Sequence, residues 1–347
     1  MTAWSISTLD DDLASRLTRG ASAFFGIDAE PAIGGVQRRA HPYSTILRIE
    51  LKWPAQSRWI YLKTLPRTRA HDSIAAERLA TEFRVLGDLW KHFAGRHDIG
   101  VVQPYGLYAD RLAIATVDAQ GINLRYILGR RARRWTLPGR RIPLVRLMER
   151  CGMWLRDFQA FTRRESGTFD VAELQSYCGV RLALLADLHP ARFDSRFNAS
   201  IVARMAEIGA SAAATNTAIS GRHNDYTAHN IIAVGDGVRV LDFSMFDYGS
   251  VALDPCNFWL DLETLKADPS YSPSLLGELQ DRFVGTYGML STCDPLFSVM
   301  RCRYTLTRLL TVLDSPPHWT SRARIDRRRM AAGCYQWLQR FARGLTS

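Results

Sequence analysis

The sequence predicts an α+β protein with a smaller, strand-rich N-terminal lobe and a larger, mainly helical C-terminal lobe. The chain has 347 residues, more than one hydrophobic core usually serves, so two lobes are expected. Strand patterns surround a helix pattern in the first third, and helical periodicity dominates the rest. We place the lobes at residues 1–117 and 118–347.

The N-terminal lobe is predicted to contain, in order, a helix, two strands, a helix and two strands. The first helix runs from about Asp10 to Phe25, and a glycine-containing turn, "AIGGVQRRAHPYS", follows it. The segments "STILRIEL" and "SRWIYLKTL" predict a hairpin. Apolar residues at helical spacing in "SIAAERLATEFRVLGDLWKHF" predict the second helix, with Ser73 as N-cap. The segments "VVQPYGLY" and "RLAIATVD" are the last two strands.

The C-terminal lobe begins with a basic segment broken by glycine and proline, and then becomes helical. The segment "LVRLMERCGMWLRDFQAF" carries its apolar residues on one helical face. The exception to the helical pattern lies between His223 and Phe243. There "NIIAV", the turn "GDG" and "VRVLDF" predict a short hairpin.

Composition is that of a globular protein, with 47% hydrophobic, 10% aromatic and 23% charged residues. The N-terminus lacks the pattern of a signal peptide, and no apolar stretch is long enough to span a membrane. The six cysteines show neither C-x-x-C nor zinc-ligand spacing. We therefore expect a cytoplasmic protein with reduced thiols.

The net charge is +11, and arginines cluster in residues 130–141 and 322–329. These segments are either solvated charged faces or docking sites for an anionic membrane surface or an anionic substrate. Specific nucleic-acid binding is not expected, because only Trp135 is interleaved with the basic residues. Of the 45 lysines and arginines only four are lysines, so arginine is the basic residue expected at most positions. Lys63, at the end of the strand "WIYLK", is therefore expected to have a specific role.

A polar block, "HNDYTAHN", precedes the C-terminal hairpin, and Asp242 follows the second strand of that hairpin. Antiparallel pairing should bring Asp225, Asn230 and Asp242 to one end of it. Such oxygen ligands suit Mg²⁺, and one carboxylate could accept a proton from a hydroxyl. The alternative is a polar turn with side-chain capping.

These residues resemble the catalytic loop and metal-binding segment of the protein-kinase-like fold, and best of all its aminoglycoside phosphotransferase branch. That branch reads H-G-D-x-x-x-x-N, then an aspartate, a glycine seven residues on and an aspartate five beyond. Here His223–Asp225 and Asn230 are followed by Asp242, Gly249 and Asp254. The sequence contains neither D-F-G nor A-P-E, which disfavours a protein kinase.

The resemblance implies an ATP- and Mg-dependent phosphotransferase that acts on a hydroxyl of a small molecule. Asp225 would be the catalytic base, Asn230 and Asp242 the metal ligands, and Lys63 the residue that binds the phosphates. Glu82 would form an ion pair with Lys63, and Glu77 is the reserve candidate for that role. Thr116 and Val117, within "ATVDAQG", would bind adenine. His223 and Asp254 would support the catalytic loop.

The chain departs from the family pattern at four places. Asn224 replaces the usual glycine or arginine, His229 stands where glycine is common, and Gln159 where histidine is common. The phosphate-covering loop near "GGVQRRAHPYST" matches a glycine-rich loop poorly, which leaves a catalytically silent nucleotide-binding regulator as the alternative function. The acceptor stays open, and so do the roles of His229 and Asp247. Acidity around Asp247, Asp261 and Glu263 is the feature that could receive a cationic acceptor.

Overall fold

A computed structural model describes residues 4–41, 43–67, 72–164, 170–213, 218–288, 291–313 and 321–345. The chain divides into two compact units. The strand-rich unit comprises Met1–Ile122 and Ile232–Phe246, and the helical unit comprises Asn123–Ile231 and Asp247–Ser347. The strand-rich unit thus takes up most of the hairpin that the sequence assigned to the C-terminal lobe.

The strands of the described chain are short except in the N-terminal sheet. They are β1 Ser5–Ile6, β2 Ala32–His41, β3 Ser44–Lys52, β4 Ser57–Thr64, β5 Ile99–Val101, β6 Pro104–Tyr108, β7 Ala113–Val117, β8 Ile122–Asn123, β9 Ile219–Arg222, β10 Ile231–Val234, β11 Gly237–Val240 and β12 Asp247–Ser250. The sheet orders are β1-β2-β3-β4-β7-β6, β5-β11-β10-β8 and β12-β9.

The helices are concentrated in the C-terminal two thirds of the chain. They are α1 Asp11–Thr18, α2 Ala21–Phe25, α3 Asp72–His92, α4 Leu124–Arg131, α5 Ile142–Phe161, α6 Val171–Leu188, α7 Ser195–Ala213, α8 Leu253–Leu265, α9 Pro273–Tyr287, α10 Pro295–Leu313 and α11 Ser321–Ala342. None of the helices in the described ranges is long and apolar enough to cross a membrane.

The predicted glycine-containing turn after the first helix is wrong, because most of that segment is the strand β2. Gly34 and Gly35 lie at an irregularity in the pairing of β2 with β3, between Ile33 and Val36. A Cβ atom on Gly34 would lie 2.5 Å from Oε2 of Glu50, and the amide of Gly35 donates to the same oxygen at 3.2 Å. The glycines therefore permit the close approach of a side chain within a strand, and do not mark a turn.

The predicted first helix is in fact two helices. Asp10 caps α1 by accepting a hydrogen bond from the amide of Leu13 at 2.9 Å. Gly20 has φ of 80° and separates α1 from α2. A left-handed residue cannot continue a helix, and glycine adopts that conformation without a steric cost.

Each unit has its own hydrophobic core. In the strand-rich unit, Leu17 and Ala21 of the first two helices pack with Ile49 of β3 and Ile60 and Leu62 of β4. In the helical unit one buried cluster joins α6, α7, α10 and α11, and a second joins α8 to α10. All six cysteines are free thiols, five of them buried and Cys293 exposed.

Part of the first arginine-rich segment packs against the protein itself. Arg133 lies 4.0 Å from the ring centroid of Tyr271 and 3.1 Å from the carboxylate of Asp268. The backbone amide of Arg134 donates to the carbonyl of Ser270 at 3.1 Å. These two arginines therefore tie the end of α4 to the turn before α9. In the second segment the side chains of residues 322 and 324 lie outside the described residues.

Candidate active site

In the strand-rich unit, a lysine from β4 lies between two carboxylates from distant parts of the chain. Nζ of Lys63 is 2.6 Å from Oδ1 of Asp242 and 3.2 Å from Oε2 of Glu82. The side chain of Glu82 is 3% exposed and that of Lys63 is 16% exposed. The reserve candidate, Glu77, is exposed on α3. The structure thus brings together three of the residues that the sequence singled out.

The charges in this cluster oppose the effect of burial. Burial acts to lower the pKa of Lys63, but the charges of Glu82 and Asp242 outweigh it and the pKa lies above its usual value. Burial raises the pKa of Glu82 to about 7, although Lys63 counteracts it. The ammonium is therefore firmly charged, while Glu82 titrates near neutrality. The site therefore carries a permanent cation.

Asp242 adopts a backbone conformation that few non-glycine residues use. Its φ is 67°, and this left-handed region costs energy for a residue with a Cβ. The hydroxyl of Ser244 donates to Oδ1 of Asp242 at 2.7 Å, the same oxygen that meets Lys63. These donors, together with the amide of Ser244, fix the direction of this carboxylate shortly after the end of β11.

The segment expected to meet adenine begins in β7. Thr116 pairs with Tyr61, and Val117 with Ile60. The amide of Val117 donates to the carbonyl of Gln103 at 2.9 Å, and the following amide, of Asp118, donates to the carbonyl of Trp59 at 2.9 Å. These two N–H groups are engaged in the protein, so a base at Val117 would have to use other backbone groups.

In the helical unit, the loop that carries Asp225 is anchored by the residue next to it. Tyr226 is fully buried; its ring stacks on Trp154 with centroids 5.2 Å apart. Its hydroxyl donates to the carbonyl of Cys151 at 2.8 Å. Asp225 itself is exposed. An exposed carboxylate on an anchored loop is a suitable arrangement for a positioned base.

Asn230 holds Asp225 from within the same loop. Its Nδ2 donates to Oδ2 of Asp225 at 2.8 Å and to the carbonyl of Asp225 at 2.9 Å. Because the nitrogen side of the amide is used in this way, the carbonyl oxygen is the atom that could meet a cation. Carboxylate and amide oxygens are the donors that Mg²⁺ prefers, so the residue types fit this metal. No cluster of three or more His, Cys, Asp or Glu side chains suited to a metal occurs among the described residues.

Asp254, at the start of α8, supports the backbone before Asp225. Its two carboxylate oxygens accept the amides of His223 at 2.7 Å and Asn224 at 2.8 Å. Asp254 is fully buried, and burial raises its pKa to about 6 although both hydrogen bonds counteract it. Nδ1 of His223 accepts the amide of Asp225 at 3.3 Å. Both residues therefore brace the loop by hydrogen bonds.

The sequence missed the pairing of Asp247 with Arg222 across the strands β9 and β12. Both guanidinium contacts to Asp247 measure 2.6 Å, and Nδ2 of Asn224 donates to the same carboxylate at 2.8 Å. Asn224 has φ of 61°, a conformation that asparagine tolerates better than other residues with a Cβ. A Cβ on Gly249 would lie 2.4 Å from Cζ of Arg222. These contacts explain why asparagine suits the position where glycine is usual, and why Gly249 is a glycine.

The sequence also missed the place of Asp261, which is a buried residue and not part of an acidic surface. Asp261 is 3% exposed; it accepts the amide of Ala228 at 3.1 Å and pairs with Arg308 at 3.3 Å. Its role is therefore to support the loop. Burial lowers the pKa of His229, and the charges of Arg125 and Arg308 add to this effect. The residues that contact Asp261 lie far from it in the sequence, so no local pattern predicts these contacts.

Gln159 on α5 is likewise internal. It is 1% exposed. Its Nε2 donates to the carbonyl of Val251 at 3.0 Å, and its Oε1 accepts the hydroxyl of Tyr287 at 2.6 Å. The residue holds the segment that leads into α8.

Comparison with known proteins identifies the fold. No protein-family model and no curated protein sequence matches the chain. Among solved structures, a thermostable mutant of aminoglycoside phosphotransferase APH(4)-Ia crystallised with ADP and hygromycin B matches with a TM-score of 0.54 and 14% identity, over 95% of this chain and 99% of that one. Glucosamine kinase, in complex with glucosamine, ADP and phosphate, matches with a TM-score of 0.55 and 16% identity, over 82% and 79%.

A third structure, aminoglycoside phosphotransferase APH(2'')-Ib with ADP bound, matches with a TM-score of 0.52 and 13% identity, over 96% of this chain and 99% of that one. The protein therefore has the bilobal, protein-kinase-like fold of the aminoglycoside phosphotransferases, with a strand-rich N-terminal and a helical C-terminal region. The fold class predicted from the sequence is confirmed.

Proposed function

We propose that the protein is a small-molecule kinase that transfers the γ-phosphate of ATP to a hydroxyl group, with Mg²⁺ as cofactor. The observation that carries the proposal is the partly buried ammonium of Lys63 between Glu82 and Asp242. The protein shares its fold with phosphotransferases that were crystallised with ADP. A permanently charged, partly desolvated lysine supports a role in binding phosphate groups.

Each residue has a role that its contacts support. Lys63 binds the phosphates, and Glu82 keeps the ammonium directed. Asp225 orients the acceptor hydroxyl and takes its proton. Asn230 and Asp242 would offer oxygen atoms to Mg²⁺, and the metal would supply positive charge that neutralises the phosphates. Such catalysis depends on positioning and charge stabilisation, and it needs no covalent intermediate.

The nucleotide base is assigned to the segment from Thr116 to Gly121. Because the amides of Val117 and Asp118 are engaged, the base would contact carbonyl groups or the amide of a later residue in this segment. A Cβ on Gly121 would lie 2.3 Å from the carbonyl oxygen of Ala233. Glycine therefore allows two backbone segments to approach each other at the end of this stretch.

Asp225→Asn tests the proposal directly. With a panel of hydroxyl compounds and Mg·ATP, the native protein should release ADP, and the variant should lose about 10²–10⁴-fold in kcat, the usual contribution of a general base. Nucleotide affinity should stay unchanged, because the substitution keeps the size and shape of the side chain. Asp281→Asn, at an exposed position on α9, is the matched control and should be silent.

More than about a tenth of native kcat in Asp225→Asn would show that Asp225 is not the base. If the native protein binds nucleotide but releases no ADP from ATP with any acceptor, the silent-regulator alternative is supported instead. Thermal melts of both variants exclude misfolding as the cause of a loss.

A further inference from the structure

Two arginines lie over the same aromatic ring between helices α6 and α10. Cζ of Arg181 is 3.2 Å from the ring centroid of Tyr177, and Cζ of Arg303 is 4.2 Å from the same centroid. Arg181 follows Tyr177 by one helical turn on α6, whereas Arg303 comes from α10. Cation–π contacts of this kind hold the guanidinium planes in fixed orientations.

Neither arginine is neutralised within the described part of the chain. Arg181 donates to Oγ1 of Thr307 at 3.1 Å and to the carbonyl of Tyr177 at 3.1 Å, and neither acceptor is charged. Nε of Arg303 is buried without a hydrogen-bond partner among the described residues. Burial, with the charge of Arg303 as a lesser cause, lowers the pKa of Arg181. Two neighbouring cations that are partly desolvated and have no counter-charge are costly, and an oxyanion would relieve that cost.

One buried tyrosine connects the arginine pair with the support of the loop that carries Asp225. Cζ of Arg303 is 5.5 Å from the ring centroid of Tyr304, the next residue on α10. Tyr304 is 8% exposed and belongs to the same buried cluster as Ala252 and Leu253. Asp254, the residue after Leu253, accepts the two backbone amides directly before Asp225.

The acidic residues that could have received a cationic acceptor are already paired with cations. Asp247 is held by Arg222 at 2.6 Å, and Asp261 by Arg308 at 3.3 Å. Glu263 is 2.6 Å from Nζ of Lys266. Arg181 and Arg303, by contrast, have no acidic partner among the residues that the structure describes.

We propose that Arg181 and Arg303 bind a carboxylate or phosphate group of the acceptor, so that the substrate is an anionic hydroxyl compound. This inference rests on the proposed kinase function. Guanidinium groups recognise both oxyanions through paired N–H donors, and stacking on Tyr177 presents those donors in advance. The acceptor class would differ from that of hygromycin B and glucosamine, which are found with the structural neighbours.

The test compares acceptors that differ only in an acidic group. ADP release is measured with glucose, glucuronate and glucose 6-phosphate, and with cationic hygromycin B, for the native protein and Arg303→Gln. At least one anionic member should exceed glucose by about tenfold or more in kcat/KM, as one charge-assisted hydrogen bond provides. Arg303→Gln should remove that preference and leave the rate with glucose unchanged. Arg282→Gln, an exposed arginine on α9, is the matched control.

A binding measurement separates this inference from the proposed function. Calorimetry with inorganic phosphate is done at saturating ADP, so that the proposed phosphate site at Lys63 is occupied. It should show phosphate binding to the native protein and Arg282→Gln, and at least tenfold weaker binding to Arg303→Gln. Arg181→Gln serves as the second variant where melts show that Arg303→Gln is unfolded. Phosphate binding without turnover of any acceptor would retain the anion site and refute the kinase. Turnover in which glucose or hygromycin B equals the anionic acceptors, or phosphate binding unchanged in the folded variants, would overturn the anion site.

Discussion

Replacement of Lys63 by arginine isolates the geometry of the phosphate-binding cation from its charge. The ammonium fits between two carboxylates, 2.6 Å from Asp242 and 3.2 Å from Glu82. A guanidinium is wider and planar, and its N–H groups diverge in a fixed fork. It cannot reproduce both contacts from the same strand position and also direct a donor to a phosphate.

The size of the effect follows from the strength of a single charge-assisted hydrogen bond. A hydrogen bond to a charged group contributes about 1.5–3 kcal/mol. Without one such bond in the transition state, kcat/KM for ATP falls by about ten- to a hundredfold. Stability should change less, because Glu82, with a pKa of about 7, can take up a proton where its partner is poorly placed.

The assay is kcat/KM for ATP with one saturating acceptor, supported by thermal melts. Lys91→Arg is the matched control, since Lys91 is another of the four lysines and is exposed at the end of α3. That variant should keep native activity. A fully active Lys63→Arg protein would refute the phosphate role and leave Lys63 as a structural cation.

Three further outcomes are expected. The value of kcat/KM for ATP should fall as the pH decreases through about 7, because protonation of Glu82 removes an anionic partner of the lysine. Glu82→Gln should have a low kcat/KM at every pH and should not show this decrease at acidic pH. Asp254→Asn should destabilise the protein by about 1–3 kcal/mol in urea titrations. The amide nitrogen that replaces one carboxylate oxygen is a donor, so one of the two backbone N–H groups loses its acceptor. Gly249→Ala should cost about 0.5–1.5 kcal/mol in the same titration, because its Cβ would displace the Arg222 guanidinium from Asp247. Gly277→Ala, with open space around it, should be neutral or stabilising.

Local patterns in the sequence are sufficient for the elements with clear periodicity. The alternating apolar residues of β3 and β4 and the helical spacing in α3 predict these elements nearly to the residue. The scarcity of lysine draws attention to Lys63, and the resemblance to the phosphotransferase family selects Glu82 over Glu77. The structure places Glu82 against Lys63. Their role in binding nucleotide stays a prediction.

The features that sequence reasoning missed depend on contacts between distant residues. The two glycines of β2 indicate a turn because nothing local shows that Glu50 lies against them. Asp247 and Asp261 have the pattern of surface acids because their partners, Arg222 and Arg308, are far away along the chain or in another element. The strands β9 and β12 are too short and too polar to show a period of two.

The pattern that carries the resemblance is a set of physical requirements on one loop. Arg222, at the end of β9, is held by Asp247 of β12, and its guanidinium lies where a Cβ on residue 249 would be. A side chain at position 249 would have to displace this guanidinium from Asp247. The next turn of chain leads into α8, whose first turn places Asp254 under the amides of residues 223 and 224. Residue 224 has φ of 61°, a left-handed conformation that glycine adopts freely and asparagine tolerates. The spacing of glycine and aspartate therefore fixes the backbone that presents Asp225, and Asn224 meets the same requirement as the usual glycine.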